Sequence, residues 1–152
     1  FGGVEHRLEL VRELDGVSFY NDSIATAPDR TIAALESFAR PVVLIAGGYD
    51  KKIPFDELGE AAVGRVRVAV LLGATAGQIE RVLQVTSARK GIPITLIRVR
   101  DLEEAVHRAF AEARPGEVVL LSPACASYDM FRNFEERGER FRELVRSLPA
   151  SR

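Results

Sequence analysis

Apolar and polar positions along this chain fall into short blocks of two kinds. The first two blocks, Leu8 to Leu14 and Val17 to Asn21, are strand-like and are joined by Asp15-Gly16. Both positions of such a pair tolerate positive φ, so the pattern predicts a β-hairpin. Beyond it lie four apolar runs, PVVLIAGG, VRVAVLLGA, ITLIRV and EVVLLS, starting at Pro41, Val66, Ile94 and Glu117. They are short, rich in β-branched residues and barely alternating, as strands covered on both faces are. Between and after them the apolar spacing turns helical: Pro28 to Phe38, Phe55 to Val63, Ala76 to Arg89, Leu102 to Ala113 and Asp129 to Leu148.

Strand and helix in alternation predict an α/β fold: a mostly parallel, twisted, Rossmann-like sheet of about six strands, with helices on both faces and right-handed crossovers. Pro28 suits a first helical turn, with Thr26 as its expected cap. In the last helix Phe134, Gly138, Phe141, Val145 and Leu148 recur at spacings of four and three. That stripe faces a core, and Gly138 permits close approach to the sheet. Glu136 and Arg140 lie off the stripe and predict a solvated face.

Composition narrows the function. At 152 residues the chain is one domain's length. Its 21 Lys+Arg and 22 Asp+Glu nearly cancel, so no overall field draws it to nucleic acid or a membrane surface. No apolar run approaches the ~20 residues that span a bilayer. The single cysteine, Cys125, excludes an intrachain disulfide and fits a reducing, cytoplasmic compartment. A monomer is expected, because no exposed apolar stripe is evident. FGGVEHR has no initiator Met and no signal-peptide pattern, and Gly2-Gly3 suits a linker. Residues 1–7 are therefore expected to connect an absent neighbouring domain to a domain spanning 8–152.

In open α/β sheets ligands bind beyond the carboxyl ends of the strands. Three polar loops fall there: NDSIATAPDRT from Asn21, GGYDKK from Gly47 and SPACASYDMFRNF from Ser122. Helix N-termini, a lysine and the hydroxyls of Thr26 and Ser127 would together make an anion pocket. Two separate donor groups suit a compact dicarboxylate. No G-x-x-x-x-G-K-[ST] and no G-x-G-x-x-G occurs, so this chain alone is not expected to hydrolyse ATP. Taken singly, each feature has an ordinary reading: Gly47-Gly48 as a turn, a lysine as solvated, Thr26 as a cap. Neither a Cys125–His107 nucleophile pair nor a metal-ligand spacing is expected.

On these same loops the sequence resembles the Mur ligase family, most of all its D-glutamate-adding members. SPACASYDMFRNFEERGERF is similar to their C-terminal signature, and YNDSIATAPDRT and LIAGGYDKK match two further blocks in order and spacing. HRLELVRELDGVSFYND resembles the family's passage from central to C-terminal domain. The D-N-P-R signature of diaminopimelate-adding members is absent. The resemblance implies the amino-acid domain of a three-domain enzyme that uses ATP and Mg²⁺, held mainly by an absent central domain. That enzyme would join D-glutamate to UDP-N-acetylmuramoyl-L-alanine through an acyl phosphate. It implies D-glutamate contacts at Thr26, Lys51, Ser127 and Phe134, and contacts to nucleotide from Arg7 and Asp22, with no catalytic residue in this domain. Two departures stand out: Ile24 replaces a lysine of some members, and Tyr49-Asp50 replaces a smaller pair, which leaves Lys51 and Lys52 exchangeable. The alternatives are the amino-acid domain of a sibling ligase and a non-catalytic anion-binding module.

Overall fold

Six strands and five helices alternate in a computed structural model that describes residues 3–150. The hairpin forms as the Asp-Gly pair predicts. Strands β1 (Glu9–Leu14) and β2 (Val17–Asn21) pair antiparallel about Asp15 and Gly16, with φ of 52° and 79°. Helix α1 (Pro28–Glu36) leads to β3 (Val42–Ala46), α2 (Asp56–Ala62) to β4 (Val66–Leu71), and α3 (Ala76–Lys90) to β5 (Thr95–Arg98). Helix α4 (Leu102–Glu112), β6 (Val118–Leu121) and α5 (Phe134–Arg146) complete the chain.

The strand order is β1-β2-β6-β3-β4-β5, parallel except for the β1–β2 pair. The chain runs outward from β3 to β5 and then returns, so that β6 inserts between β2 and β3. That reversal is the topological switch at which α/β sheets open a crevice. It sets the loops after β2, β6 and β3 side by side at one edge.

Each face of the sheet has its own core. Phe19, Ile45, Leu121, Phe110 and Phe141 pack beneath α4 and α5, while Leu35, Leu44, Leu58, Ile79, Leu83 and Leu120 pack beneath α1, α2 and α3. Every residue of β3 and β6 is buried, which explains their unbroken apolar runs. Strand β5 departs from that expectation. It lies at the edge, and none of its four residues is fully buried.

Two helix starts differ from the sequence reading. Ala27, not Thr26, stands at the cap position of α1, and no side chain caps that helix. Helix α5 begins at Phe134 rather than near Asp129. Asn133 accepts from the Glu136 N–H at 2.8 Å, and Glu136 reaches back to the Arg132 N–H at 3.0 Å. This reciprocal cap fixes the start and leaves 129–133 as loop. Glu136 pairs with Arg132, whereas Arg140 reaches Glu103 and Glu143. Gly138 does meet its neighbours closely: a β-carbon there would strike the His6 ring and crowd Asn21 on β2.

Candidate functional site

Hydrogen bonds stitch the three strand-end loops together. Gly47 N–H donates to the Pro123 carbonyl at 2.9 Å, and Tyr49 N–H to the Ala126 carbonyl at 2.9 Å. Gly48 N–H donates to the Thr75 hydroxyl at 3.1 Å, while that hydroxyl also meets the Cys125 sulfur at 3.2 Å. Gly48 has no room for a side chain, because a β-carbon would lie 2.6 Å from the Ala126 carbonyl oxygen. Its φ of 157° adds to that requirement. On the other side, Ser23 donates its hydroxyl to the Phe134 carbonyl at 2.7 Å.

Ser127 lies at the centre of this arrangement. It is 2% exposed, and its Oγ has no hydrogen-bond partner among the described residues. Its carbonyl accepts from the N–H groups of Met130 and Phe131, so the turn is anchored while the hydroxyl stays free. A buried hydroxyl left this way is destabilising unless a ligand or water meets it. Phe134 is half-buried at the first position of α5, and its ring meets the edge of His6 at 6.0 Å.

Lys51 and Lys52 are both exposed, and their surroundings separate them. Asp50 accepts from the Lys52 N–H at 2.8 Å and from its Nζ at 3.2 Å, and also from Gln78 on α3 at 3.0 Å. Lys51 has no such tie among the described residues and is an exposed cation three residues beyond Gly48. Thr26 is partly exposed in the loop after β2, three residues beyond the Ser23 that holds Phe134. Tyr49 and Tyr128, 45% and 66% exposed, meet edge to face at 5.9 Å on the same rim.

Arg7 and Asp22 come together with Arg30, Leu8 and Ile24 around a separate pocket of about 220 Å³. Asp22 is buried, with its carboxylate accepting from the Ser122 hydroxyl at 2.8 Å and the Leu8 N–H at 3.1 Å. Burial outweighs those bonds and the nearby Arg7 and Arg30, pushing Asp22 up to about 6. Arg7 is exposed and supplies the outward-facing cation of the pair.

Sequence reasoning passed over Arg137. It is 4% exposed, in the fourth position of α5. Nε donates to Ser23 Oγ at 2.9 Å, Nη1 to the Cys125 carbonyl at 2.9 Å and Nη2 to the Ser23 carbonyl at 2.8 Å. The available signal was its spacing: it follows Phe134 by three and precedes Phe141 by four, so it sits on the core-facing stripe. Burial draws its guanidinium down to about 10, so it stays charged at neutral pH.

Cys125 is 2% exposed and its thiol is pushed up to about 11, chiefly by burial, while His107 lies exposed on α4. That environment suits an inert thiol rather than a nucleophile. Glu5, His6 and Glu139 stand close enough to suggest a cation site. However, the His6 Nδ1 contacts the Asn21 amide at 3.0 Å, and Arg142 already pairs with Glu5 at 3.1 Å. Two of its three groups are thus already engaged within the protein. No helix is long and apolar enough to cross a membrane among the described residues.

The chain is 58% identical over 152 residues to the UDP-N-acetylmuramoylalanine–D-glutamate ligase of Acetivibrio thermocellus, covering 99% of the chain and 33% of that relative. It is 52% identical over 148 residues to the enzyme of the same name from Clostridium acetobutylicum, covering 97% and 32%. The chain thus spans about a third of the length of these relatives. Among solved structures, the bifunctional folylpolyglutamate synthase/dihydrofolate synthase of Yersinia pestis, complexed with AMPPNP and a Mn ion, superposes with TM-score 0.64 at 18% identity, over 94% of this chain and 32% of that one. A Haemophilus ducreyi domain, described as coming from a UDP-N-acetylmuramate:L-alanyl-gamma-D-glutamyl-diaminopimelate ligase, superposes with TM-score 0.59 at 17% identity, over 91% and 99%. At such identities these two speak for the fold alone. The model of the Mur ligase glutamate ligase domain matches residues 6–125, and the chain belongs to the Mur ligase family.

Proposed function

We propose that this chain is the amino-acid-binding domain of an ATP-dependent ligase that joins D-glutamate to UDP-N-acetylmuramoyl-L-alanine in peptidoglycan synthesis. The observation that carries the reading is the buried hydroxyl of Ser127, which has no hydrogen-bond partner among the described residues. A hydroxyl donor and a cation suit the two ends of a dicarboxylate. The names borne by relatives at 58% and 52% identity point to the same substrate.

In this reading Lys51 pairs with the α-carboxylate at the mouth, helped by Thr26. Ser127 donates to the side-chain carboxylate at the base, with Phe134 as a wall. The amine is left facing outward, where it attacks an acyl phosphate of the L-alanyl carboxylate. The new C–N bond forms as phosphate leaves and the amine loses its proton. Nothing in this domain acts as nucleophile or base, and its contribution is positioning and charge.

ATP is the phosphoryl donor and Mg²⁺ the cofactor, both held chiefly by sequence outside this chain. Arg7 and Arg30, lining the pocket above Asp22, carry the charge to meet a phosphate edge. Residues 1–7 are the connection to a central domain and 8–152 the amino-acid domain, in a monomeric cytoplasmic enzyme. An NMR titration of the labelled chain tests the reading. D-glutamate should shift the signals of Thr26, Lys51, Ser127 and Phe134, with L-lysine inert. Equal response to both amino acids, or shifts elsewhere, would overturn it.

A further inference from the structure

We propose that Arg137 is a selectivity-determining residue of this pocket, a buried cation whose missing counter-charge is the ligand's side-chain carboxylate. The inference rests on the pocket reading above and adds a residue to it. All three hydrogen-bond partners of Arg137 are neutral oxygens, from Ser23 Oγ, Ser23 O and Cys125 O. No carboxylate lies within 4.0 Å of it among the described residues. Three of its five N–H groups are thereby used, leaving one on each Nη. A clamp between loops explains the three bonds. It does not explain a full charge, since neutral acceptors would be served as well by a neutral donor.

A buried charge with no carboxylate in direct contact, only the more distant Asp129, is costly to the free fold, and an anion that reaches it offsets that cost. The surroundings show where the anion goes. Arg137 shares the wall of a small cavity of about 10 Å³ with Ser127, Gly48 and Phe131. That space takes about one water, so at most one carboxylate oxygen enters it, between walls that include Ser127 and Arg137. Asp129 also lines the cavity and is the acid that acts on Arg137 electrostatically. Its Oδ2 accepts from the Ala74 N–H at 3.2 Å, so it is engaged by the opposite wall.

Depth decides which carboxylate takes the place. The amine must face outward to react, so the end of the ligand farthest from it goes deepest. Ser127 and Arg137 are 2% and 4% exposed, whereas Lys51 is at the surface. The side-chain carboxylate therefore meets Arg137 and the α-carboxylate meets Lys51.

The test measures affinity of the chain for D-glutamate and D-glutamine, which differ only in the charge of that end. Binding is read by NMR or by tyrosine fluorescence, which no tryptophan obscures. The wild type should prefer D-glutamate by about 10-fold or more, the scale of one charge-assisted bond. R137K should keep a preference, and R137Q should bring the two ligands within about two-fold. A clamp alone would weaken both ligands alike, so R137Q retaining the wild-type ratio would overturn the proposal. Should circular dichroism show R137Q unfolded, the wild type decides: a ratio near one overturns it and a ratio of about 10 upholds it. A wild type binding neither ligand, with or without charge, overturns the amino-acid pocket itself and this inference with it.

Discussion

Two buried polar side chains, Ser127 in this crevice and Asp22 at the separate pocket with Arg7, are held at an energetic disadvantage, and their substitutions should act in opposite ways from ordinary core changes. Ser127 has a buried hydroxyl with no partner among the described residues. Replacing it with alanine removes an unmet polar group, so S127A should leave stability unchanged or raise it by up to about 1 kcal/mol. The same change should weaken D-glutamate about 10-fold, read by titration alongside a urea melt. A loss of stability with unchanged binding would show that the hydroxyl serves the fold. Asp22 is the second case. Its carboxyl is displaced by burial from 3.8 to about 6, so the folded state holds its proton more tightly than the unfolded chain does. Below about pH 4 the group is protonated in both states and costs nothing. Stability is lost as pH rises from about 4 to about 6, by about 3 kcal/mol at full linkage. An amide in place of this carboxyl would not titrate and can still bond Leu8 and Ser122. D22N should therefore match the wild type near pH 4 and exceed it at pH 7, in urea melts across that range. A difference that does not vary with pH would show that Asp22 ionises freely.

At the scale of elements, the caps decide where the site begins. Asn133 and Glu136 bind each end of the first turn of α5, and Asp101 and Glu104 do the same for α4. N133A should cost about 1 kcal/mol, a fall of about 2–4 °C in Tm for a domain of this size. It should also loosen Phe134, visible as faster amide exchange through the first turn of α5. The hairpin, β3 and β6 were legible in the sequence because Asp-Gly turns and doubly covered strands leave local marks. The three loops were legible as candidates because the strand-end rule needs only the order of elements. What the sequence did not reveal was set by distant partners. The insertion of β6 between β2 and β3 leaves no local pattern. Arg137 reads as one more arginine in a charged helix until Ser23 and Cys125 are seen around it. Lys51 and Lys52 are indistinguishable until Asp50, itself held by Gln78, claims Lys52. Asn133 was the exception, since N-x-x-E marks a helix start, and the more extended reading from Asp129 overlooked it.

For the whole molecule, the question is how much of the reaction one domain can carry. Two cores, one on each face, hold the sheet rigid, so the three loops are presented with little freedom. The ligand would gain roughly 1.5–3 kcal/mol from each charge-assisted bond, while association costs at least about 4 kcal/mol. Lys51 is exposed, so its bond is screened and belongs at the low end of that range. Three contacts then leave about −0.5 to −3.5 kcal/mol, an affinity of a few millimolar at best. Catalysis needs more, because the attacked carbonyl and the phosphoryl donor must be held against the same amine. The chain has no phosphate-cradling loop to do so. The expected outcome is millimolar D-glutamate binding by the chain with no ADP release when ATP, Mg²⁺ and both acceptor substrates are supplied. On the proposed reading, joining the chain to the other two thirds of a relative's length should tighten binding and start turnover together. Turnover by the chain alone would mean that the phosphate site lies within these residues, with the Arg7–Arg30 pocket as the first place to look for it.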